Sequence, residues 1–371
     1  MSAAPSRLAP MDVGGRAARL RGRFEAEDID ALLVTRLPNV RYLTGFTGSA
    51  AILLVGPDEL VFVTDGRYAE QAADQVGAAG VPAQIEVRAS QAGQRDVMRD
   101  AAAGYPRLGL EAHGVTWAQQ RAFAREWFAG ADLVPTEHLV EDLRRVKEPA
   151  EAARIQAACA IADDALGVVA PRLADGPSER DVALWLELEM RDRGATGTSF
   201  DTIVASGPNG AKPHARPSGR PIAGGEPVVI DFGCVVDGYC SDMTRTLSVG
   251  DPGPEVRRMF DVVRAAQQSG RDAVRARAEC AQVDKACRDV IDAAGWGDAF
   301  VHGTGHGVGL EIHEAPRVAA TARDTLASGY VVTVEPGVYL PGTGGVRIED
   351  TVVVTDDGAE VLTRFPKEFL L

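Results

Sequence analysis

The chemistry-bearing residues of this chain are acids set in apolar runs. Val228-Val229-Ile230-Asp231-Phe232-Gly233 carries one carboxylate, and Tyr239-Cys240-Ser241-Asp242-Met243-Thr244 carries another after Val236-Asp237-Gly238. An Asp-Gly pair between two such runs signals a two-residue hairpin turn. With that turn in place, Val236 faces Tyr239 and Asp242 faces Gly233. Asp231 and Gly233 share a face because side chains alternate along a strand. The two carboxylates are then diagonal neighbours, about 7–8 Å apart at the backbone, a span that a metal ion can bridge. A second pair of runs repeats the construction. Val331-Val332-Thr333-Val334-Glu335-Pro336 ends in an acid, and Gly345-Val346-Arg347-Ile348-Glu349-Asp350 follows the glycine-rich turn Pro341 to Gly345. Antiparallel pairing around Gly342 sets Glu335 opposite Glu349, with Arg347 on the same face.

Four carboxylates in apolar strands repel one another and are costly to desolvate. Two divalent cations would cancel their charge. Oxygen-rich ligation with one imidazole suits manganese, with cobalt or zinc as alternatives. A two-metal site polarises a carbonyl and generates hydroxide at neutral pH, which is hydrolytic chemistry. The imidazoles lie in Val301-His302-Gly303-Thr304-Gly305-His306-Gly307-Val308-Gly309-Leu310-Glu311-Ile312-His313-Glu314. The i, i+4 spacing of His302 and His306 suggests a zinc-binding helix, but the glycines between them disfavour a helix and H-E-x-x-H is absent. A phosphate-binding G-x-G-x-x-G register fails, since its third position falls on Val308. A glycine-tolerant strand or loop passing close to other backbone is what remains.

The elements that must position these groups fall into two regions. The first third alternates helix and strand. Helical spacing over Arg16 to Asp28, Tyr68 to Val76 and Trp117 to Phe128 accompanies strand-like runs at Ala31 to Thr35, Ala50 to Val55, Leu60 to Thr64 and Arg107 to Glu111. Arg144-Arg145-Val146-Lys147-Glu148-Pro149 breaks this pattern and divides the chain into residues 1–143 and 144–371. Pro149 fits a helix's first turn, with Glu148 and Glu151 near its positive end. Helices are expected over Ala150 to Leu173, Glu179 to Arg191, Glu255 to Ala276 and Gln282 to Ala293, with strands after Gly194 and again near the C-terminus. No internal repeat is evident by eye.

At 371 residues and 45% hydrophobic content, the chain is comfortable for two domains. Its net charge of −14 disfavours a grip on nucleic acid. The apolar runs are strand-sized, too short for a membrane span, and Met1 to Arg23 lacks the apolar core of a secretory signal. The five cysteines form no C-x-x-C pair, so neither a disulfide framework nor a zinc knuckle is indicated. A cytoplasmic protein is expected.

Asp231, Asp242, His306, Glu335 and Glu349 resemble the five-ligand set of the pita-bread metallopeptidases, which include methionine aminopeptidases, aminopeptidases P and prolidases. Asn39 to Gly48 with Asp65-Gly66-Arg67-Tyr68 resembles the creatinase-like N-terminal domain of the proline-directed branch. Arg144 to Ile155 and Leu362 to Phe369 resemble the beginning and end of the catalytic domain. The resemblance implies an α/β (α+β) protein: a creatinase-like α/β domain over 1–143, then a pita-bread catalytic domain over 144–371 with a curved antiparallel sheet covered by helices. It implies two divalent metal ions, manganese foremost, and a homodimer acting on proline-containing peptides or dipeptides. Residue by residue, His214 matches a histidine that touches the scissile carbonyl, and His313 one that hydrogen-bonds substrate near the metals. His302 matches a histidine of the proline-ring pocket. Arg347 resembles an arginine that shuttles protons or tethers the bridging acid, and Glu335 doubles as general base.

The expected activity is removal of the residue before proline, as in an Xaa-Pro aminopeptidase, with Xaa-Pro dipeptidase (prolidase) as the alternative. Methionine removal is disfavoured by His302 and the extra domain. A creatinase-like activity or a non-catalytic peptide-, histone- or RNA-binding module would be expected to lack ligands that this chain keeps. His113 and His138 carry no motif, and Cys234 and Cys240 read as small core fillers.

Overall fold

The structure is a computed structural model that describes residues 8–370. The first seven residues, part of the segment read as lacking a secretory signal, lie outside that range. Two compact units divide the chain, Pro10–Arg144 and the residues from Arg145 on.

The first unit is built on a six-stranded mixed sheet. Its strand order is Gln84–Val87, Leu60–Thr64, Ala51–Val55, Ala31–Val34, Arg107–Glu111, Asp132–Thr136. The Ala51–Val55 and Leu60–Thr64 strands pair antiparallel as the hairpin signal at Gly56-Pro57 predicts. The helix expected over Arg16 to Asp28 closes after one and a half turns, at Arg16–Arg21, and turns follow Gly22. The helix Leu37–Thr44 is only two turns long and carries Pro38, so it offers little periodicity, and Gln91–Ala102 buries only Met98 and Ala102. The Trp117 helix changes to a π-turn over Phe123–Trp127, which seats Phe123, Trp127 and Phe128 in the core.

The second unit has two halves of like construction. In the first, helices Pro149–Val169 and Glu179–Asp192 cover a sheet ordered Met243–Ser248, Pro227–Phe232, Ile203–Ser206. In the second, Pro254–Ala273 and Cys280–Ala293 cover Gly305–Gly307, Val331–Val334 and Asp350–Val354. Each half has its own core. Leu166, Leu186, Ile230 and Phe232 are fully buried in one, and Met259, Val263, Ile291 and Val332 in the other. Each such side chain contributes about 1.5–3 kcal/mol on burial. The resemblance of the two halves lies in element order, which is why no repeat is visible in the residues themselves.

Pro149 opens its helix as expected, and Glu151 turns back to accept the Glu148 amide at 3.0 Å. The helix passes into a 3-10 segment at Ala170–Asp175, where Pro171 cannot donate to the ladder. Among the described residues no helix is long and apolar enough to cross a membrane.

Candidate metal centre

The first hairpin has the expected register. Val236 pairs with Tyr239 and Val235 with Cys240, and beyond Gly233 the ladder continues as Phe232 with Met243 and Asp231 with Thr244. Asp237 and Gly238 take φ of 46° and 81°, the left-handed pair that a type I′ turn requires and that Asp-Gly tolerates best. The second hairpin holds one register from end to end. Gly337 pairs with Arg347 and Val338 with Val346 near the turn, and Val334 with Asp350 and Val331 with Val353 beyond it. Between these ladders Glu335 and Glu349 face each other where the strands part. The Glu335 amide donates to Thr304 O at 2.8 Å, and the Glu349 amide to Thr244 O at 3.1 Å. The interruption thereby stitches the second hairpin to both the first hairpin and the histidine-bearing strand.

That strand is Gly305–Gly307, not a helix. It runs beside Val331–Val334, and a Cβ on Gly305 would sit 2.0 Å from Thr333 O. The glycine is needed because the two backbones touch. His306 therefore projects at the acids, with Nε2 3.4 Å from Glu335 Oε1 and 3.5 Å from Asp242 Oδ2. Its Nδ1 lies 3.0 Å from Gly307 O, which can only accept. Nδ1 thus carries the proton, and the Nε2 lone pair faces the carboxylates, the tautomer a metal ligand needs.

Ligand oxygens of Asp231, Asp242 and Glu349 lie within 4.8 Å of one another. Asp231 Oδ1 and Glu349 Oε1 are buried and have no hydrogen-bond partner. Orphaned buried carboxylate oxygens are costly, and four acids with one poised imidazole are a donor set for a hard or borderline divalent cation. The residues present fit such an ion. Burial, followed by the neighbouring carboxylates, pushes Asp242 and Glu349 well above the usual carboxylate range. Burial raises Glu335 to about 7.

Arg347 answers part of this charge. Its side chain donates from Nη2 to Asp231 Oδ2 at 2.5 Å, from Nε to Thr244 Oγ1 at 3.0 Å, and from Nη1 to Tyr339 OH at 2.8 Å and Pro213 O at 3.2 Å. Thr244 in turn donates to Glu349 Oε2 at 2.8 Å. Tyr339 OH is 2.8 Å from His302 Nε2, while His302 Nδ1 donates to Gly303 O at 2.7 Å. The tautomer is again forced, so Tyr339 donates to Nε2 and a continuous chain runs from Asp231 through Arg347 and Tyr339 to His302. Burial, reinforced by the Arg347 charge, lowers His302 to about 4, so it is neutral at pH 7.

His313 is exposed, with its ring centroid 4.3 Å from that of His306. His214 is also exposed, on a loop whose Pro213 carbonyl is held by Arg347, and it lies within electrostatic reach of Glu335, His302 and His313. All nine residues singled out in the sequence thus collect around one centre. Thr244, Thr333 and Tyr339 belong to it and were not singled out. Thr333 Oγ1 donates to Glu335 Oε1 at 3.1 Å.

The acid cluster has a consequence for stability. In metal-stripped protein, folded Glu335 keeps its proton up to about pH 7, whereas the unfolded chain releases it near 4.5. Folding then takes up protons between those values, so this contribution is full below pH 4.5 and is lost as pH rises through 7. Stripped protein should melt several degrees lower at pH 8 than at pH 5.5. Saturating manganese should reverse the trend, since metal displaces the protons. Calorimetry across that pH range checks both; a stripped protein that gains stability from pH 5.5 to 8 would contradict the assignment.

Comparison with known proteins bears on the same centre. The model of metallopeptidase family M24 matches residues 153–356, and that of the creatinase/prolidase N-terminal domain matches 16–146. An uncharacterized peptidase of Bacillus subtilis is 41% identical, over 95% of this chain and 99% of its own. Among solved structures, an Xaa-Pro dipeptidase from Bacillus anthracis superimposes with TM-score 0.92 at 40% identity, over 97% of this chain and 100% of its own. An X-Pro aminopeptidase from Thermotoga maritima gives TM-score 0.85 at 34% identity, over 96% of this chain and 100% of its own.

Proposed function

The chain belongs to metallopeptidase family M24, with the creatinase-like and pita-bread architecture of its Xaa-Pro peptidases, and on that footing we propose that it removes an N-terminal residue preceding proline. The observation that carries the proposal is the convergence of Asp231, Asp242, His306, Glu335 and Glu349, with two buried carboxylate oxygens left for a cation. In this reading residues 1–143 form the creatinase-like domain and 144–371 the catalytic domain. Those five residues would hold two divalent ions, manganese foremost, with cobalt or zinc as alternatives. Bound there, such ions supply Lewis acidity toward the scissile carbonyl and lower the pKa of water.

The chain's own groups supply the rest. His214, exposed beside the acids, hydrogen-bonds the scissile carbonyl oxygen as negative charge develops on it. His313 hydrogen-bonds substrate nearby. Glu335, whose carboxylate lies 3.4 Å from His306 Nε2, relays a proton to the proline nitrogen as the bond breaks. His302 meets Phe300 in a T-shaped contact, ring centroids 5.1 Å apart, and as a neutral imidazole it suits the wall of a proline-ring pocket. Arg347 holds Asp231 in place and keeps Tyr339 aimed at His302. A homodimer in the cytoplasm completes the reading; all five cysteines are free and buried, as a reducing compartment allows.

Aminopeptidase action on longer peptides is the first reading. Dipeptidase action is the second, favoured by the dipeptidase from Bacillus anthracis. Stripping metal with a chelator, restoring manganese, cobalt or zinc, and comparing Ala-Pro, Ala-Pro-Ala and Met-Ala tests both. Manganese-dependent cleavage of Ala-Pro-Ala is the expected result. Cleavage restricted to Ala-Pro would establish the dipeptidase, and preference for Met-Ala would overturn proline direction. Undiminished turnover in stripped protein would remove the metal chemistry.

A further inference from the structure

Glu179 begins the helix Glu179–Asp192 and is wholly buried. An acid at that position favours the positive end of its helix, but its hydrogen bonds go elsewhere. Oε1 accepts from the Ser206 amide and the Ser206 hydroxyl, both at 2.8 Å, and from Asn209 Nδ2 at 3.1 Å. Oε2 accepts from the Ser218 amide at 3.0 Å, the Ser218 hydroxyl at 2.6 Å and Asn209 Nδ2 at 3.2 Å. The helix does not need Glu179 as a cap, because Ser178 and Asp181 already form a reciprocal capping box. Ser206 ends the strand Ile203–Ser206, and Ser218 lies at the other foot of the same excursion. One carboxylate thus clasps both feet of the loop 207–217, which carries His214.

The first half of the loop packs at Gly210 against Gly345, and around the histidine the Ala215 amide closes a turn by donating to Lys212 O at 3.1 Å. Lys212, His214 and Arg216 are all exposed, so apolar packing does not hold its tip. The tip is tied through Pro213 O to Arg347, and the base through Glu179. Arg220 reinforces the base by donating to Ser206 Oγ at 2.6 Å while paired with Glu226.

We propose that Glu179 is a positioning residue for His214, a buried clasp that sets where the loop presents its imidazole to the scissile carbonyl. The inference rests on the role given to His214 above. Glu179→Gln keeps the shape but turns an NH₂ toward donors and removes the charge that strengthens all these bonds. Displacing a catalytic group by about 1 Å costs on the order of 10²-fold in rate, so kcat should fall about 10–100-fold, with KM and bound manganese little changed. Amide hydrogen exchange should quicken in the peptide spanning 206–218, whose Ser206 and Ser218 amides bind Glu179.

Combining E179Q with His214→Ala discriminates the outcomes. The double variant should be no slower than H214A alone, because the clasp acts through the histidine. E179Q costing as much in the H214A background as in the wild type would overturn the inference while leaving His214's role intact. H214A at the wild-type kcat would instead remove His214's role and the inference with it. Ser218→Ala, which spares the buried acid, should shift exchange and kcat in the same direction by less. If E179Q fails to fold, S218A with wild-type exchange and rate overturns the proposal.

Discussion

Replacing Asp242 with asparagine is expected to reduce kcat/KM on an Xaa-Pro substrate by at least about 10³-fold while raising the melting temperature of the metal-stripped protein. The first effect follows from losing a charged ligand at a site whose cation would stabilise transition-state charge by several kcal/mol, at about 1.4 kcal/mol per tenfold in rate. The second runs against the usual cost of altering a buried residue. Asp242 is 5% exposed, and burial together with Glu349, Asp231 and Glu335 disfavours its charge. Asparagine has nearly the same shape and removes one of the repelling carboxylates. Manganese should raise the melting point of the wild type far more than that of D242N. Elemental analysis, kinetics and calorimetry on one preparation measure all three effects. Retained activity within tenfold, or a stripped variant that melts below the wild type, would dismiss Asp242 as a ligand.

Arg347→Met should be the most damaging change outside the proposed ligands. The guanidinium is 2% exposed and serves Asp231, Thr244, Tyr339 and Pro213 at once. Methionine fills similar volume but leaves Asp231 without its cation. Breaking a buried ion pair by removing one partner costs about 3–5 kcal/mol, and that cost should appear most clearly in stripped protein. Bound metal would offset part of it by compensating Asp231. Activity should fall by about 10²-fold or more, because Asp231, the His214 loop and the Tyr339–His302 contact all lose an anchor. Arg347→Lys should recover little, since an ammonium cannot reproduce the planar fork. Full rescue by lysine would mean that charge alone matters at this position.

The hairpins were legible in the sequence because each has a strong local signal. Asp237-Gly238 can hardly be anything but a tight turn, and alternation then assigns every face. The glycines around His306 were legible only as a demand for close backbone; the neighbour they approach, Thr333, is far along the chain. Tyr339, Thr333 and Thr244 carry no such local mark, although the same alternation reaches them. Each is an even number of residues from a ligand: Glu335 to Tyr339, Thr333 to Glu335, Asp242 to Thr244. A threonine or tyrosine in an apolar strand reads as β-propensity, and only its hydroxyl's partner shows otherwise. Glu179 was hidden for another reason. An acid in a helix's first turn satisfies a local rule, so nothing prompts a search for partners about 27 and 39 residues away. Two helices of the first unit leave no such signal, Leu37–Thr44 because it is two turns long and Gln91–Ala102 because it buries only Met98 and Ala102.

The single register that holds from Val331 to Val353, kept across the gap where Glu335 and Glu349 face each other, has an evolutionary corollary. A single residue added to the Leu340–Gly344 connection would rotate Glu349 and Arg347 to the far side of the ribbon relative to Glu335, and one added beside Asp237 would do the same to Asp242 relative to Asp231. Descendants of this chain should therefore tolerate insertions at the exposed Gly250–Asp251 bend, where extra length costs only loop entropy. The eleven-step interval from Asp231 to Asp242 and the fourteen-step interval from Glu335 to Glu349 should behave as fixed spacers.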